Sequence, residues 1–279
     1  MAAVGEVLGD AVTPEIASAW SQAVLFLARV LIEAEEAVYK EAANRSGGWR
    51  GFQTFKVVAV DEIATSVKRF TFAPAESATV NDGGFAFAPG QFISVKIEEL
   101  NQKELTAPRH YTITSAPGEP VLSCSVKKVE GGVVSRYLHE HIGVGDTVEL
   151  SPPFGCFTSR HTTSENKAVL VSRGIGVTPM VNLASALGDR VALVAHMDVA
   201  PEAHAHADTF RGHETLFQYN ASMDEDGFAR EIFGAIDRAD AYDFYLCGAP
   251  SFARNIEAAL RAGGAKRVFS ESFKGHQAS

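Results

Sequence analysis

Residues 107–115 read Ala-Pro-Arg-His-Tyr-Thr-Ile-Thr-Ser, and the rest of the chain is organised around this stretch. Dense β-branched residues and an alternation of period two predict a strand, and Pro108 limits its entry to a strand start or an edge. Arg109 offers a fork of donors that suits a pyrophosphate. Tyr111 offers a flat face for a ring system, and Thr112 offers a hydroxyl beside it. Alone, the stretch equally fits a barrel strand with a surface arginine.

Two later stretches are apolar strands that end in glycine. Residues 169–180 (VLVSRGIGVTPM) run from a strand into a Gly-x-Gly turn and then a predicted helix. Residues 243–250 (DFYLCGAP) form a second strand that ends in Cys-Gly. From about residue 165 onward, strands and helices alternate. This alternation predicts a parallel sheet with ligands at the carboxyl ends of its strands.

The chain divides into three predicted parts: an N-terminal helix and linker (1–50), an antiparallel β-barrel (51–160) and an α/β domain with a parallel sheet (161–279). Short strands separated by Gly and Pro turns predict the barrel. Its predicted strands are Phe55–Val60, Val67–Phe72, Gln91–Ile97, Arg109–Ser115, Val121–Lys127 and Thr147–Leu150. The predicted strands of the α/β domain are Lys167–Ser172, Arg190–His196, Thr215–Tyr219, Tyr242–Cys247 and Val268–Glu271. Its predicted helices are Thr178–Leu187, Glu202–Phe210, Phe228–Arg238 and Ser251–Ala262.

The first helix carries both a start signal and a wide apolar stripe. Thr13, Pro14 and Glu15 supply a capping hydroxyl, a proline at the first helical position and a carboxylate facing the helix dipole. Asn44 and Gly47-Gly48 end the helix and predict a flexible tether. Such an apolar helix is unstable alone in water. The stripe consists of Ile16, Trp20, Ala23, Val24, Leu27, Leu31 and Val38.

Length, composition and net charge indicate the general class of protein. The 279 residues suffice for two domains plus a helix, and 46% apolar with 21% charged residues is ordinary for a globular protein. The net charge of −9 argues against nucleic acid and anionic membranes as partners. Three distant cysteines suggest neither disulfides nor zinc, and no apolar run is long enough to span a membrane. We therefore expect a soluble, cytoplasmic protein that binds no metal, with surface histidines at His204 and His206.

A second phosphate-binding feature follows the fifth barrel strand. The glycines of Gly131-Gly132 open a short predicted helix at Arg136–His141. Free N–H groups at a helix start bind phosphate, and glycines let the ligand approach closely. A tight turn without a ligand is the alternative interpretation.

The order of "R-x-Y-[ST]", "G-x-G-x-T-P" and "C-G" resembles the ferredoxin–NADP reductase superfamily, which joins an FAD-binding barrel to a nicotinamide-nucleotide domain. Residues 16–51 resemble the last globin helix and linker of flavohaemoglobins, and residues 270–275 (SESFKG) resemble the "YEVFG" ending of that family. The resemblance covers nearly the whole chain. It implies the reductase portion of a flavohaemoglobin, with FAD and without haem, since the haem-binding helices are absent from the sequence.

The resemblance implies roles for individual residues. Arg109 would bind the FAD pyrophosphate, Tyr111 would pack on the isoalloxazine ring, and Thr112 would bond near N5. Cys247, Glu271 and Thr112 would be catalytic, around the nicotinamide and the flavin. The full set of implied cofactor contacts is Arg109, His110, Tyr111, Thr112, Gly132, Val133, Val134, Ser135, Phe154, Gly155, Gly174, Gly176, Thr178, Pro179, Asp198, Cys247, Gly248 and Phe273.

The sequence departs from flavohaemoglobins at two places in the nucleotide half. Arg173 replaces the first glycine of "G-G-x-G", where it would either block the approach of the backbone to the ligand or swing out to meet phosphate. The motif "H-G-A-R-N" appears as His196–Ala200 without its arginine. Asp198 would repel a 2′-phosphate and accept a ribose hydroxyl, which predicts NADH rather than NADPH.

The leading hypothesis is an FAD-dependent NAD(P)H oxidoreductase that passes a hydride from NADH to FAD and electrons to an unknown external acceptor. The alternative is a protein that retains FAD with a degraded NAD site and uses the flavin structurally or in another reaction. The first helix could fold back on the barrel, pair with its copy or dock on another protein. We predict a homodimer through residues 14–43.

Overall fold

The computed structural model describes residues 6, 7, 9, 13–97, 107–162, 166–220 and 224–273. Within these ranges the chain forms a long first helix, a six-stranded antiparallel sheet and a five-stranded parallel sheet. This order confirms the predicted fold class of an N-terminal helix, a barrel and an α/β domain.

Helix α1 (Pro14–Ala43) begins where the capping signal predicts. The Thr13 hydroxyl accepts a hydrogen bond from the Ile16 amide at 3.3 Å, and Glu15 lies in the first turn. Ala42 is the only buried residue of this helix. The helix therefore projects from the barrel, and the fold-back outcome is wrong for the described chain.

The junction between α1 and the barrel is rigid, so the predicted flexible tether is wrong. Gly47 and Gly48 are buried, and a Cβ atom at Gly48 would collide with the carbonyl of Ala42. Trp49 is buried and donates from Nε1 to the Leu150 carbonyl at 3.1 Å. These glycines permit close packing rather than motion, because their missing side chains let the chain turn against the barrel.

Helix α1 also corrects the expectation that no segment could span a membrane. By length and composition it is long and apolar enough to do so, with a mean hydropathy of 1.4 in its most apolar window. A helix that packs inside a soluble protein passes the same test, so the finding is weak. The absence of a membrane partner stays a prediction.

The barrel is a six-stranded antiparallel sheet in the order β4-β3-β6-β1-β2-β5. Its outer strands meet through the pairing of Ile113 with Cys124 and a 2.7 Å hydrogen bond from the Thr114 amide to the Ser123 carbonyl. Phenylalanine, valine and isoleucine side chains fill its interior. Its strands are β1 (Gln53–Ala64), β2 (Val67–Pro74), β3 (Phe92–Lys96), β4 (Arg109–Thr112), β5 (Leu122–Lys127) and β6 (Thr147–Leu150).

Helix α2 (Val133–His141) lies between β5 and β6, and it begins three residues earlier than predicted. The N-cap is Gly132, so the first turn includes Val133, Val134 and Ser135. The prediction began at Arg136 because β-branched residues are weak helix formers, whereas here Val134 packs its side chain in the barrel core and Val133 is exposed.

The second half is a parallel sheet in the order β11-β10-β7-β8-β9, covered by helices on both faces. This order places the topological switch point at β7, where ligands bind in sheets of this kind. Its strands are β7 (Lys167–Arg173), β8 (Val191–Asp198), β9 (Thr215–Tyr219), β10 (Tyr242–Gly248) and β11 (Arg267–Ser272). Its helices are α3 (Thr178–Leu187), α4 (Glu225–Ala235) and α5 (Pro250–Ala262).

The predicted helix Glu202–Phe210 is wrong. Two short 3₁₀ turns, Pro201–Ala203 and Ala207–Phe210, occupy this region, and His206 between them has φ +62°. A left-handed residue cannot continue a right-handed helix. The prediction of surface histidines fails with it, because His204 is 4% exposed and the side chain of His206 hydrogen-bonds Ser125 of the barrel at 2.8 Å.

Candidate functional site

Arg109 opens strand β4 with its guanidinium turned to the backbone. Its Nη1 donates to the carbonyls of Ala107 and Pro108 at 2.9 and 3.2 Å. It has no carboxylate partner within the residues that the structure describes. The remaining N–H donors of this cation are thus available to an anionic ligand.

The next residues of β4 present an aromatic ring and hydroxyls. Tyr111 is half-buried, and burial raises the pKa of its phenol, which therefore stays protonated. Thr112 and Thr114 lie on the same face of the chain, two residues apart. The hydroxyl of Thr114 is buried without a partner among the described residues. A buried orphan hydroxyl needs a partner, and a polar ring edge supplies one.

His110 lies on the opposite face of β4 from Tyr111 and on the same face as Thr112, because side chains alternate along a strand. Its Nδ1 lies 2.8 Å from the Ser94 hydroxyl, and its ring packs against Phe92 at 4.6 Å. Burial and then the neighbouring Arg109 lower the pKa of the imidazole. The neutral ring supports β3 from this position.

The N-terminus of α2 forms an open anion site. Gly132 caps the helix without a side-chain hydrogen bond, so the amides of its first turn have no side-chain cap. The Ser135 hydroxyl lies 3.2 Å from the Val129 amide and closes the preceding turn. Since β4 and β5 are antiparallel and Ile113 pairs with Cys124, Arg109 lies at the barrel end where β5 leads into α2. A cation and a helix N-terminus at one end suit a pyrophosphate.

The turn at Phe154-Gly155 borders β3. Phe154 and Phe92 exchange two backbone hydrogen bonds of 2.9 Å. Gly155 has φ +112°, and a Cβ atom there would lie 3.0 Å from the Phe92 ring, so this position requires glycine. The Phe154 ring also packs edge-on against Tyr39 of α1, with centroids 6.0 Å apart.

The backbone of the turn after β7 lies very close to the backbone at the end of β10. Gly174 has φ +54°, and a Cβ atom at Gly176 would collide with the carbonyl of Cys247. The Thr178 hydroxyl donates to the Ile175 carbonyl at 2.9 Å, and Pro179 occupies the first turn of α3. The geometry therefore joins the predicted glycine turn to the end of β10, which is the crevice expected for a dinucleotide.

Cys247 and Glu271 are register partners on β10 and β11. Cys247 is fully buried, and burial followed by the nearby Glu271 raises the pKa of its thiol. Burial also raises the pKa of the Glu271 carboxyl to about 7. The Phe273 amide donates to the Gly248 carbonyl at 3.1 Å. These residues thus share the strand ends beside the glycine turn.

Asp198 ends β8 and is held in a buried network. The carboxylate accepts hydrogen bonds from the Val199 amide at 2.8 Å and, at 3.4 Å, from Nε2 of His196. Burial opposes ionisation, but these hydrogen bonds lower the pKa of the carboxyl. Nδ1 of His196 lies 2.9 Å from the Ser172 hydroxyl. Ser172 is fully buried, so this Ser-His-Asp array is a structural network rather than a nucleophile.

Arg173 does not fill the turn that it precedes. Its Nη1 lies 2.6 Å from Glu225 at the start of α4, and Asn255 of α5 donates to the other Glu225 oxygen at 2.8 Å. The guanidinium also lies 5.9 Å from the Phe252 ring centroid. The side chain thus swings out, toward α4 and α5, where its partner is the Glu225 carboxylate, and the prediction that it meets phosphate stays a prediction.

Comparison with known proteins identifies this arrangement. The oxidoreductase FAD-binding domain family matches residues 54–158. The flavohemoprotein of Bacillus subtilis is 33% identical over 271 residues, which cover 90% of this chain and 66% of the relative. The flavohemoprotein of Rhodopirellula baltica is 34% identical over 293 residues, which cover 94% of this chain and 69% of the relative. The chain belongs to the flavohemoprotein family. It spans about two thirds of the length of these two curated relatives.

Solved structures agree with this family. The FAD/NAD-binding domain of nitric oxide dioxygenase from Vibrio cholerae is 26% identical, with a TM-score of 0.67 over 82% of this chain and 99% of that chain. The flavohemoglobin of Malassezia yamatoensis, 23% identical, shares the fold with a TM-score of 0.78 over 98% of this chain and 72% of that chain. This flavohemoprotein-family chain is an FAD-dependent NAD(P)H oxidoreductase.

The cofactor residues of this family member fit FAD. The unpaired donors of Arg109, the uncapped start of α2 and the orphan Thr114 hydroxyl supply positive charge and hydrogen bonds where the flavin and its pyrophosphate are expected. Individual contacts of the predicted set stay predictions. So does the absence of haem.

Two residues that sequence reasoning missed lie where the barrel and the α/β domain meet, beside the candidate site. Nζ of Lys127, at the end of β5, lies 3.8 Å from the Cβ position of Gly174, so a barrel cation faces the dinucleotide turn. Asn182 of α3 donates from Nδ2 to the carbonyls of Ile113 and Ser115, each at 2.9 Å. No local motif marks either residue, because each acts across the two halves of the chain. The alternation of β5 could have indicated the face of Lys127.

The histidines of this family member pack against one another and against Tyr219. His196 and His204 stack with centroids 3.8 Å apart, and His204 Nδ1 lies 2.9 Å from the Tyr219 hydroxyl. Burial lowers the pKa of His204 to about 3 and that of His206 to about 4. Within the described residues, no group of three or more ligands could hold a metal ion. The neutral rings pack the loop that follows β8.

Proposed function

We propose that this chain takes a hydride from NADH in preference to NADPH and passes electrons from FAD to an acceptor outside residues 1–279. The observation that carries the NADH preference is the fixed, ionised Asp198 carboxylate at the end of β8. Two like charges in one partly buried site repel strongly, and a 2′-phosphate carries up to two. A ribose 2′-hydroxyl can instead donate to a carboxylate.

Bound FAD supplies the redox chemistry by accepting a hydride and releasing electrons to the acceptor. The protein supplies position and charge. Arg109 and the N-terminus of α2 would neutralise and hold the pyrophosphate, and Tyr111 would cover one face of the ring system. The hydroxyls of Thr112 and Thr114 would offer hydrogen bonds to the polar edge of the ring.

The residues at the ends of β10 and β11 shape the nicotinamide side. Burial keeps the thiol of Cys247 protonated, so it offers a small uncharged surface at the end of β10. The Glu271 carboxyl, with its pKa near 7, can hold or release a proton at its oxygen near neutral pH. Phe273 borders the same crevice as the last described aromatic residue.

A flavin protein without an NAD(P)H reaction is disfavoured by the position of Arg173. The alternative function was based on the expectation that Arg173 would block the glycine turn. Its side chain instead pairs with Glu225, and Gly174 and Gly176 keep the close backbone geometry of the turn. The turn thus retains the room that a dinucleotide needs.

The cytoplasmic location is also a proposal. Cys124, Cys156 and Cys247 are all free thiols in the structure. Free thiols persist in a reducing compartment, whereas secreted proteins usually pair them. The flavohemoprotein relatives and the thiols therefore support the same location.

Anaerobic mixing of the FAD-loaded protein with each nucleotide tests the function. We expect NADH to bleach the flavin absorbance with at least about tenfold higher kcat/KM than NADPH, which corresponds to about 1.4 kcal/mol. Asp198→Asn keeps the size of the side chain and removes its charge, so the preference should fall. Asp189→Asn, an exposed acid at the opposite end of β8, is the matched control. No reduction by either nucleotide at millimolar concentration would refute the proposed reaction.

A further inference from the structure

The amide of Asn182 bridges the two halves of the chain at the point where their cofactor sites meet. Asn182 is 4% exposed, and both hydrogens of its Nδ2 are used, one on the Ile113 carbonyl and one on the Ser115 carbonyl, each at 2.9 Å. An extended chain directs carbonyls two residues apart to the same side. The Asn182 side chain therefore binds two carbonyls on the same side of the segment that continues β4.

Asn182 and the two carbonyls that it binds each lie next to a segment that we expect to bind a cofactor. Asn182 lies one helical turn after Thr178, on the same face of α3, and Thr178 closes the glycine turn of the dinucleotide site. Ile113 directly follows Thr112, and Thr114 lies between the two bound carbonyls with its hydroxyl buried and without a partner in the described part of the chain. One amide group thus joins the helix that follows the glycine turn to the segment that continues β4.

Other contacts hold the halves together independently of Asn182. The Ser125 hydroxyl lies 2.8 Å from Nε2 of His206, and the Thr65 amide donates to the Glu202 carbonyl at 2.8 Å. Val67 and Phe157 of the first half pack in the apolar core around α3. Loss of the Asn182 bridge should therefore leave the domains docked while loosening the alignment of the two sites.

We propose that Asn182 is a positioning residue that sets the distance and angle between the nicotinamide and the flavin by clamping the Ile113 and Ser115 carbonyls to α3. This inference rests on the proposed function. Hydride transfer depends steeply on alignment, and a displacement of about 1 Å can cost roughly 100-fold in rate. Binding of FAD and of NADH depends on other residues and should persist.

Two substitutions test the clamp. Asn182→Asp keeps the shape but presents an oxygen where the amide donates, so it repels both carbonyls. Asn182→Ala removes the bridge and leaves space for water to satisfy the carbonyls. Ser125→Ala is the matched control, since it deletes a different hydrogen bond between the same two halves. Each protein is loaded with FAD and mixed anaerobically with NADH over a range of concentrations.

We expect both Asn182 variants to bind FAD fully and to saturate with NADH within about threefold of the wild-type concentration. The limiting rate of flavin reduction should fall at least tenfold, and the long-wavelength charge-transfer absorbance between NAD⁺ and reduced flavin should weaken. Ser125→Ala should match the wild type in both. Hydrogen exchange of the FAD-free proteins gives a readout besides activity: residues 112–116 and 178–187 should exchange faster together in both Asn182 variants and not in Ser125→Ala.

Each contrary outcome is decisive. Reduction rates within twofold of the wild type in both variants would overturn the clamp. Loss of FAD or of the folded state in both would also overturn it, because Asn182 would then be a general stabilising contact. A wild-type protein that neither nucleotide reduces would refute the proposed function instead, and the hydrogen-exchange comparison would still decide whether Asn182 joins the two segments.

Discussion

The Nη1 atom of Arg173 lies 2.6 Å from Oε1 of Glu225, and this ion pair stands beside a turn at which flavohaemoglobins usually have glycine. Asn255 binds the second Glu225 oxygen, so the pair joins the end of β7 to the starts of α4 and α5. Both side chains are largely shielded from water, which strengthens their attraction. Arg173 is thus a cation close to the dinucleotide site whose charge is already matched.

Removing that partner should alter the choice of nucleotide. Glu225→Gln leaves Arg173 without its carboxylate, and the free guanidinium can then attract the 2′-phosphate of NADPH. We expect the kcat/KM ratio of NADPH to NADH to rise at least fivefold, measured by steady-state reduction of an artificial acceptor. Asp226→Asn removes the same charge one residue away on an exposed position and is the control. An unchanged ratio in Glu225→Gln would show that Arg173 does not reach the nucleotide.

FAD affinity should depend on Arg109. Arg109→Ala removes a charged donor that has no carboxylate partner within the described chain, and a charged hydrogen bond contributes about 1.5–3 kcal/mol. The dissociation constant of FAD should therefore rise by about one to two orders of magnitude in a fluorescence titration of the apoprotein. Arg69→Ala, whose guanidinium pairs with exposed Asp61 across β1 and β2, should leave FAD affinity unchanged. Equal losses in both variants would point to general damage to the barrel.

Glu271 should make stability depend on pH. Burial raises the pKa of its carboxyl from 4.5 to about 7, so between these pH values the folded protein holds a proton that the unfolded chain has released. This contribution to the free energy of unfolding therefore falls as pH rises from about 4.5 to about 7 and is constant above that. Glu271→Gln should gain stability relative to the wild type across this window in urea titrations. A constant difference between the two proteins from pH 4.5 to 8 would contradict the shift.

Helix α1 should pair with its copy. Leu27 and Leu31 are 57% and 60% exposed, and burying such side chains contributes roughly 1.5–3 kcal/mol each. Packed helices lie 8–10 Å apart, whereas a domain of about 100 residues has a radius of gyration of about 13 Å. A parallel pair would make the two rigidly attached barrels collide, so we expect an antiparallel homodimer. Sedimentation at micromolar concentration should show it.

Two double variants test this dimer. Leu27→Asp with Leu31→Asp should give a monomer that keeps its flavin. Ser18→Asp with Gln22→Asp adds the same two charges at the same spacing on the polar side of α1, where these residues already hydrogen-bond each other, and should remain a dimer. A wild-type chain that sediments as a monomer would favour a separate protein or a lipid surface as the cover of α1.

The sequence predicted elements best where one local rule decided them. The Thr13 cap fixed the start of α1, and strands Thr147–Leu150 and Thr215–Tyr219 have their predicted bounds, because polar turns flank short alternating runs. The segment 202–210 failed because its residues contact several elements at once. His206 adopts a left-handed conformation to reach Ser125, and no periodicity encodes such a contact.

Glycines and long-range contacts account for the remaining differences. A Gly-Gly pair is typical of a flexible linker. Here, the absence of side chains at Gly47 and Gly48 lets this segment of the backbone pack closely against its neighbours. Asn182 and Lys127 act on residues about 50 to 70 positions away in the chain, so neither their spacing nor their neighbours marks them. The site residues on β4, α2 and β7 were recognisable because each occupies a local motif.

The contact between Tyr39 and Phe154 has a thermodynamic consequence. It joins the last turns of α1 to the Phe154-Gly155 turn, which the family resemblance implies as a cofactor contact, and Arg50, paired with Glu36, lies 5.9 Å from the same Tyr39 ring. Coupling free energies between two binding events are reciprocal. If FAD orders Phe154 and with it Tyr39, whatever covers α1 must bind the loaded protein more tightly, and that partner must strengthen the binding of FAD by the same free energy.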